Sequence, residues 1–194
     1  MLCIERFCPT WRSAAIHESS PIGRGASLKL MKHAPGYLAT QYFPGVKTGS
    51  IHHSVRCENL ERLTFADASF DLHLTQDVME HVFDPAAVFR EIARTLRPGG
   101  MHIFTVPLVM KDLPTELCAR RRPDGTIEHL RRPEYHGNPL SNDGALVTRN
   151  WGYDICEFIL RESGLFTTMV HLDDLAHGIR AEYIDVLVSR KPRA

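Results

Sequence analysis

The sequence predicts an α/β fold built on a doubly wound, mostly parallel sheet, and three observations carry that expectation. Short apolar runs alternate with stretches at helical spacing along most of the chain, the pattern of strands separated by covering helices. The stretch SFDLHLTQDVMEHVFDPAAVFREIARTLRPGGMHIFTVP, Ser69 to Pro107, passes from one apolar run through a helix pattern into a second, as two buried strands joined by a crossover helix do. With 194 residues and 22.0 kDa, the chain has the size of one ordinary domain and can bury a core without metal or disulfide staples.

The elements follow in order. SAAIHES, Ser13 to Ser19, is a small, mostly apolar run and reads as the first strand, with residues 1–12 before it as a tail. SPIGRG then breaks the run, and ASLKLMKHA places Leu28, Leu30 and Met31 at helical spacing. GYLATQYF starts at a glycine and stops at Pro-Gly, which fits a second strand. IHHSVRCENLERLTF supports only a short strand near His53 to Cys57, and FDLHLTQ is the next strand. The clearest helix is DPAAVFREIARTL. Asp84 is its cap, Pro85 suits its first turn, and Val88, Ile92 and Leu96 share an apolar face. RPGG ends it, and MHIFTVP is the following strand. From Leu108 to Asn150 the period dissolves into Pro, Gly, Arg and Asn, so 108–150 reads as an inserted lid or substrate segment within a single domain, 1–194. GYDICEFILRESG resumes as a helix, and LFTTMVHL and AEYIDVLVSRKP close the chain as strands.

Composition narrows the partners. Lys plus Arg and Asp plus Glu number 23 each, with a sequence pI near 7.2, so no broad positive field points to nucleic acid. The five cysteines are odd in number and form no CxxC pair, which favours a reducing, cytoplasmic setting. Cys3 and Cys8 are close in sequence, but two cysteines cannot complete a four-ligand zinc site. No apolar run approaches the ~18 residues of a membrane span, and Glu5, Arg6 and Arg12 interrupt any signal-peptide core.

In an open α/β sheet, ligands bind outside the carboxyl ends of the strands. The turn holding Glu18, Ser19, Ser20, Gly23 and Gly25 therefore becomes a candidate, since glycine lets backbone amides approach a ligand. Asp77, Glu80 and His81 follow directly on another strand, and a helical turn there brings Asp77 against the other two. Together they can hold a hard divalent ion weakly or anchor the loop by hydrogen bonds. The anchor is the expectation, because three ligands without a fourth specify no tight site. In the lid, Tyr135, His136 and Asn138 stand at a Pro-flanked turn, and His136 is the candidate base. Arg120, Arg121, Arg122, Arg131 and Arg132 can attract a carboxylate, phosphate or acidic sugar.

The stretch NLERLTFADASFDLHLTQDVMEHVFDPAAVFREIARTLRPGGMHIFTVP, Asn59 to Pro107, resembles the middle of class I S-adenosylmethionine-dependent methyltransferases, whose pattern runs through LPF, SFDLV, EHV and EIARVLKPGG. Fold-level agreement extends from about Ala14 to Leu187. The resemblance implies a seven-stranded sheet with its last strand antiparallel, the lid inserted after strand five, and methyl transfer from S-adenosylmethionine. It also implies that Glu18, Ser20, Gly23, Gly25, Gln41, Tyr42, Glu58, Asn59 and Gln76 line the cofactor pocket, and the loop position of Tyr42 lets its aromatic face favour the cation. ESSPIGRG stands where the family carries a more glycine-rich loop, Gln41 where it carries an acid for the ribose, and Asn59, with Glu58 beside it, where an acid meets the adenine amino group. His136 and Asp77 are the catalytic candidates. The acceptor expected is a small polar molecule, with a sugar or glycan hydroxyl suggested by the lid. A homodimer or another partner can cover the cofactor if the short N-terminal segment does not. One rival is a degenerate methyltransferase-like binding module. Another, a nicotinamide oxidoreductase, is disfavoured because no GxGxxG follows the first strand and no acid ends the second.

Overall fold

The computed structural model describes residues 1–138 and 141–193. Eight strands form the main sheet: β1 (Ile16–Ser19), β2 (Tyr37–Gln41), β3 (Ile51–His52), β4 (Val55–Cys57), β5 (Phe70–Gln76), β6 (Leu96–Thr105), and β13 (Phe166–His171) with β14 (Asp185–Arg190). Their order is β13-β14-β6-β5-β1-β2-β4-β3. β1 pairs in parallel with both β2 and β5, β2 with β4, and β5 with β6, while β14 runs antiparallel to its neighbours β6 and β13. Winding therefore reverses between β1 and β5, the switch point at which such sheets bind ligands.

The eighth strand, beyond the seven expected, is a sheet-edge addition. β3 folds back on β4 through His53 and Ser54, both left-handed at φ 47° and 63°, as a two-residue hairpin turn requires. What reads as one strand from His53 to Cys57 is thus the second arm of a hairpin.

Alternation along the strands sends side chains to two cores. Ile16, Leu72, Leu74, Met101 and Ile103 pack with Leu30 of α2 (Ala26–His33) and with Cys3 and Ile4 of α1 (Leu2–Phe7). Phe104 and Leu187 face the other way, onto Val88, Phe89 and Ile92 of α3 (Pro85–Thr95) and Ile155 and Ile159 of α4 (Ile155–Ser163). α3 begins as its sequence dictates, with the Asp84 carboxylate accepting from the Ala87 amide at 2.9 Å and Pro85 in its first turn. It stops one residue earlier than expected, because Leu96 is already extended and β6 incorporates the RPGG segment.

Two expectations need correction. Residues 1–12 are packed structure, not a tail: α1 and a 3-10 turn at Trp11–Ser13 bury Cys3, Ile4, Cys8 and Trp11 against the sheet, so β1 starts only at Ile16. The segment 108–150 is likewise no featureless loop. It folds into three antiparallel pairs: β7 (Glu116–Leu117) with β12 (Arg149–Asn150), β8 (Ala119–Arg121) with β9 (Ile127–His129), and β10 (Tyr135–Asn138) with β11 (Ser141–Leu146). Pro139 and Leu140 of the expected lid lie outside the described residues.

Candidate active site

The carboxyl ends of β1, β2, β4 and β5 lie side by side, and this edge gathers most of the expected cofactor residues. Ser19 is in register with Thr40 on one side and Thr75 on the other. The Ser20 amide donates to the Thr40 carbonyl at 2.8 Å and the Glu58 amide to the Gln41 carbonyl at 3.1 Å. Ser20, Gln41, Asn59 and Gln76 therefore stand along one contiguous rim. Past Ser20, itself left-handed at φ 55°, the loop turns into α2 through Gly23 and Gly25. Gly25, at φ 58° and ψ −120°, holds a conformation that a side chain disfavours, and nothing stands within 4 Å of where its Cβ would be. The result is a backbone-lined cradle at the head of a helix.

Glu18 does not line this cradle with a free carboxylate. It is fully buried, and it accepts from Ser27 Oγ at 2.8 Å, Tyr37 Oη at 2.7 Å and Gln76 Nε2 at 2.6 Å. The buried carboxylate in turn pushes the Tyr37 hydroxyl strongly upward, with desolvation the larger cause. Glu18 thus ties α2, β2 and β5 to β1 and positions the loop. Ser27 and Tyr37, its partners, escaped sequence reasoning, since a serine in a helix and a tyrosine opening a strand give no signal before the fold brings them together.

The remaining pocket residues divide. Gln41 is half-buried at the end of β2, its side-chain amide unbonded among the described residues, with Tyr42 exposed beside it. Asn59 Oδ1 accepts from the Glu61 amide at 2.9 Å, so its side chain closes a turn. Glu58 is turned away and buried. Arg56 Nε donates to it at 2.7 Å, and the Thr64 amide and hydroxyl take up its oxygens. Three hydrogen bonds already engage its oxygens, which makes it the less available acceptor for an adenine amino group.

The catalytic candidates separate as well. Asp77 is exposed and left-handed at φ 51°, which breaks the expected helical turn and sends its carboxylate to Thr105 Oγ1 at 3.0 Å. It is therefore not grouped with Glu80 and His81. Instead the lid delivers His136, on β10 and not in a turn, opposite Ala145. His136 Nδ1 stands 3.5 Å and His81 Nε2 3.6 Å from Glu80 Oε1. Burial raises the Glu80 carboxyl to about 8 and lowers the His81 imidazole. His81 Nδ1 lies 2.9 Å from the Leu146 carbonyl. The lid base is welded to the same loop, for Thr148 donates through both its amide and its hydroxyl to the Glu80 carbonyl, and Trp151 Nε1 to that of Met79.

Next to Gln76 and Thr105 a cavity of about 150 Å³ opens between the ends of β5 and β6, α1 and the segment 172–186, walled by Ile4, Leu74, Ile103, Leu172, Ile179 and Val186. Its walls lie far apart in sequence, so periodicity could not disclose it. Four of the five lid arginines already have partners within the protein. Arg120 and Arg122 pair with Glu128, Arg131 with Glu116, and Arg121 stacks over Phe83.

A family model described as a methyltransferase domain matches residues 28–104. Residues 28–104 thus resemble a methyltransferase domain, and the whole fold agrees with that of S-adenosylmethionine-dependent methyltransferases. Among curated relatives it is 36% identical over 105 residues to a ubiquinone biosynthesis O-methyltransferase of Rhizobium rhizogenes, covering 50% of this chain and 42% of that one. It is also 42% identical over 55 residues to a dimethylglycine N-methyltransferase of Parasynechococcus marenigrum, covering 28% and 20%. The matched stretch spans less than half the length of these relatives. Among solved structures, a methyltransferase from Mesorhizobium loti superposes with a TM-score of 0.58 at 16% identity, covering 94% of this chain and 96% of that chain. A Burkholderia thailandensis N-methyltransferase with bound S-adenosylhomocysteine superposes with a TM-score of 0.56 at 15% identity, covering 98% and 76%. The family's cofactor is S-adenosylmethionine, and the open cradle with the unbonded Gln41 amide fits it. Among the described residues no helix is long and apolar enough to cross a membrane.

Proposed function

We propose that the protein transfers a methyl group from S-adenosylmethionine to a small-molecule hydroxyl carried on an apolar body. The observation supporting this most directly is the adjacency of two features: the glycine cradle at the switch point and the apolar cavity beside Gln76 and Thr105, the residue that bonds Asp77. A sugar or glycan acceptor loses its support, because most of the lid arginines that suggested it are paired within the lid. When bound, the cofactor supplies an electrophilic methyl on a sulfonium. The chain's part is positioning and proton removal. The Ser20–Gly25 backbone cradles the amino-acid end, the Gln41 amide can accept one ribose hydroxyl and donate to the other, and Asn59 and Tyr42 border the adenine. Asp77, oriented by Thr105, takes the acceptor's proton. Leu74, Ile103 and Val186 exclude water.

Calorimetry with S-adenosylmethionine and mass spectrometry of the denatured protein's supernatant test the cofactor. Heat at one equivalent is expected. No heat from well-folded protein would favour a degenerate binding module instead. With a phenolic acceptor in hand, Asp77→Asn should lower kcat by about 10²–10⁴ while leaving cofactor affinity unchanged.

A further inference from the structure

We propose that Glu80, His81 and His136 form a binding site for one divalent transition ion of the zinc class, which clamps the lid onto the loop after β5. The site goes beyond the methyl-transfer reading and does not depend on it.

The geometry carries the inference. The Glu80 side chain is 97% buried, since its relative exposure is 3%. Neither carboxylate oxygen has a hydrogen-bond partner among the described residues. A buried carboxylate without partners is costly. Yet two imidazole nitrogens converge on its Oε1, at 3.5 and 3.6 Å, too far for hydrogen bonds. Two ligands on a tetrahedral ion with bonds of about 2.1 Å stand about 3.4 Å apart, whereas neighbouring ligands on an octahedral ion stand about 3.0 Å apart. The two spacings to Glu80 match the tetrahedral case. All three ligand atoms lie within 4.8 Å of one another.

The tautomer points the same way. A carbonyl only accepts, so the 2.9 Å contact with Leu146 O makes His81 Nδ1 the donor and leaves a lone pair on Nε2. That lone pair faces a carboxylate oxygen, an arrangement that a cation between them turns from repulsive to binding. Histidine ligands are held in this manner by a carbonyl behind the ring. β11 organises both sides, because Leu146 fixes His81 while its neighbour Ala145 is in register with His136. Asp77, engaged with Thr105, is not a ligand. Two nitrogens and one carboxylate favour zinc or cobalt over magnesium and leave a fourth position for water or another oxygen.

The test uses the whole chain, stripped with a chelator and titrated with zinc, cobalt(II) or magnesium. One equivalent of zinc or cobalt should bind, with the intense visible bands of four-coordinate cobalt, and with no competition from magnesium. Zinc should slow hydrogen exchange in β10. His136→Ala, in the lid, and Glu80→Gln, of the same shape, should each weaken binding at least tenfold, whereas His52→Ala, at the far edge of the sheet, should not. Binding that survives His136→Ala, a six-coordinate cobalt spectrum, or a thiolate-to-cobalt charge-transfer band placing the ion on cysteine overturns the proposal. Cofactor calorimetry on the stripped protein keeps the two readings apart, since loss of the ion site leaves that heat unchanged.

Discussion

Glu18 gathers three hydrogen bonds on one fully buried charge at the cofactor edge. Removing it takes the acceptor from three donors, on Ser27, Tyr37 and Gln76, of which Ser27 is fully buried. Glu18→Ala should therefore lower unfolding stability by about 3 kcal/mol, measured by urea denaturation, and weaken cofactor binding through the displaced loop. A Glu18→Ala protein as stable as the parent would mean that these donors find other partners. Gln41 offers the opposite experiment. Gln41→Glu replaces a neutral acceptor by a charged one, and hydrogen bonds to ionised acceptors are about twice as strong, so calorimetry should register tighter binding of S-adenosylmethionine, by about tenfold. At this scale the sequence disclosed which positions stand at the rim but not which way their side chains turn. Glu58 and Asp77 look equally available in the chain, yet Arg56 and Thr64 take the one and Thr105 reorients the other. Those partners are set by tertiary packing, which no local pattern encodes.

Elements were legible in proportion to how regularly they bury apolar side chains. α3 carries its cap, its proline and its apolar face in eleven residues, and its N-terminus falls where Asp84 and Pro85 put it. The lid strands are two to six residues long and nearly all half-buried or exposed, so no hydrophobic period marks them. α1 escaped for a related reason, being six residues that become helical by packing Cys3 and Ile4 onto the sheet. The lid's base and tips should differ in behaviour. Thr148 is buried and its hydroxyl bonds the carbonyls of Glu80 and Val82 at 3.0 and 2.7 Å, whereas the β8–β9 hairpin rests on exposed ion pairs with Glu128. Hydrogen exchange should find the Thr148 amide among the slow ones and those of residues 122–126 among the fast. Thr148→Val should lower stability by about 1–3 kcal/mol and speed exchange across 146–151. Uniformly slow exchange through the lid would contradict this division.

Across the whole molecule, three central strands place one histidine each in a single row: His17 on β1, His73 on β5 and His102 on β6 are register partners, all buried. Their rings bond Thr40, Thr95 and Thr75, and His17 meets His73 at 2.9 Å. Desolvation holds His17 and His102 neutral down to about 3, and His73 well below its ordinary value of 6.5. Because the folded values are depressed, the unfolded chain binds these protons first. The stability they permit is complete above about pH 6.5 and is lost as pH falls toward 3. Each histidine contributes a slope approaching about 1.4 kcal/mol per pH unit, hence about 4 for the row, enough to exhaust a typical domain stability of about 5–15 kcal/mol within two or three units. Glu80 acts in the opposite sense. Its folded value is raised to about 8, so its contribution is present below its unfolded value and fades as pH rises through 8, one group against three. Urea midpoints measured in chelator should therefore drop steeply from pH 6 to pH 4. His102→Leu, which removes the ring whose Nδ1 is buried without a partner, should reduce that slope by about a third even if it shifts stability at pH 7. A slope unchanged by His102→Leu would place the acid sensitivity in the carboxylates and remove the histidine row from the account.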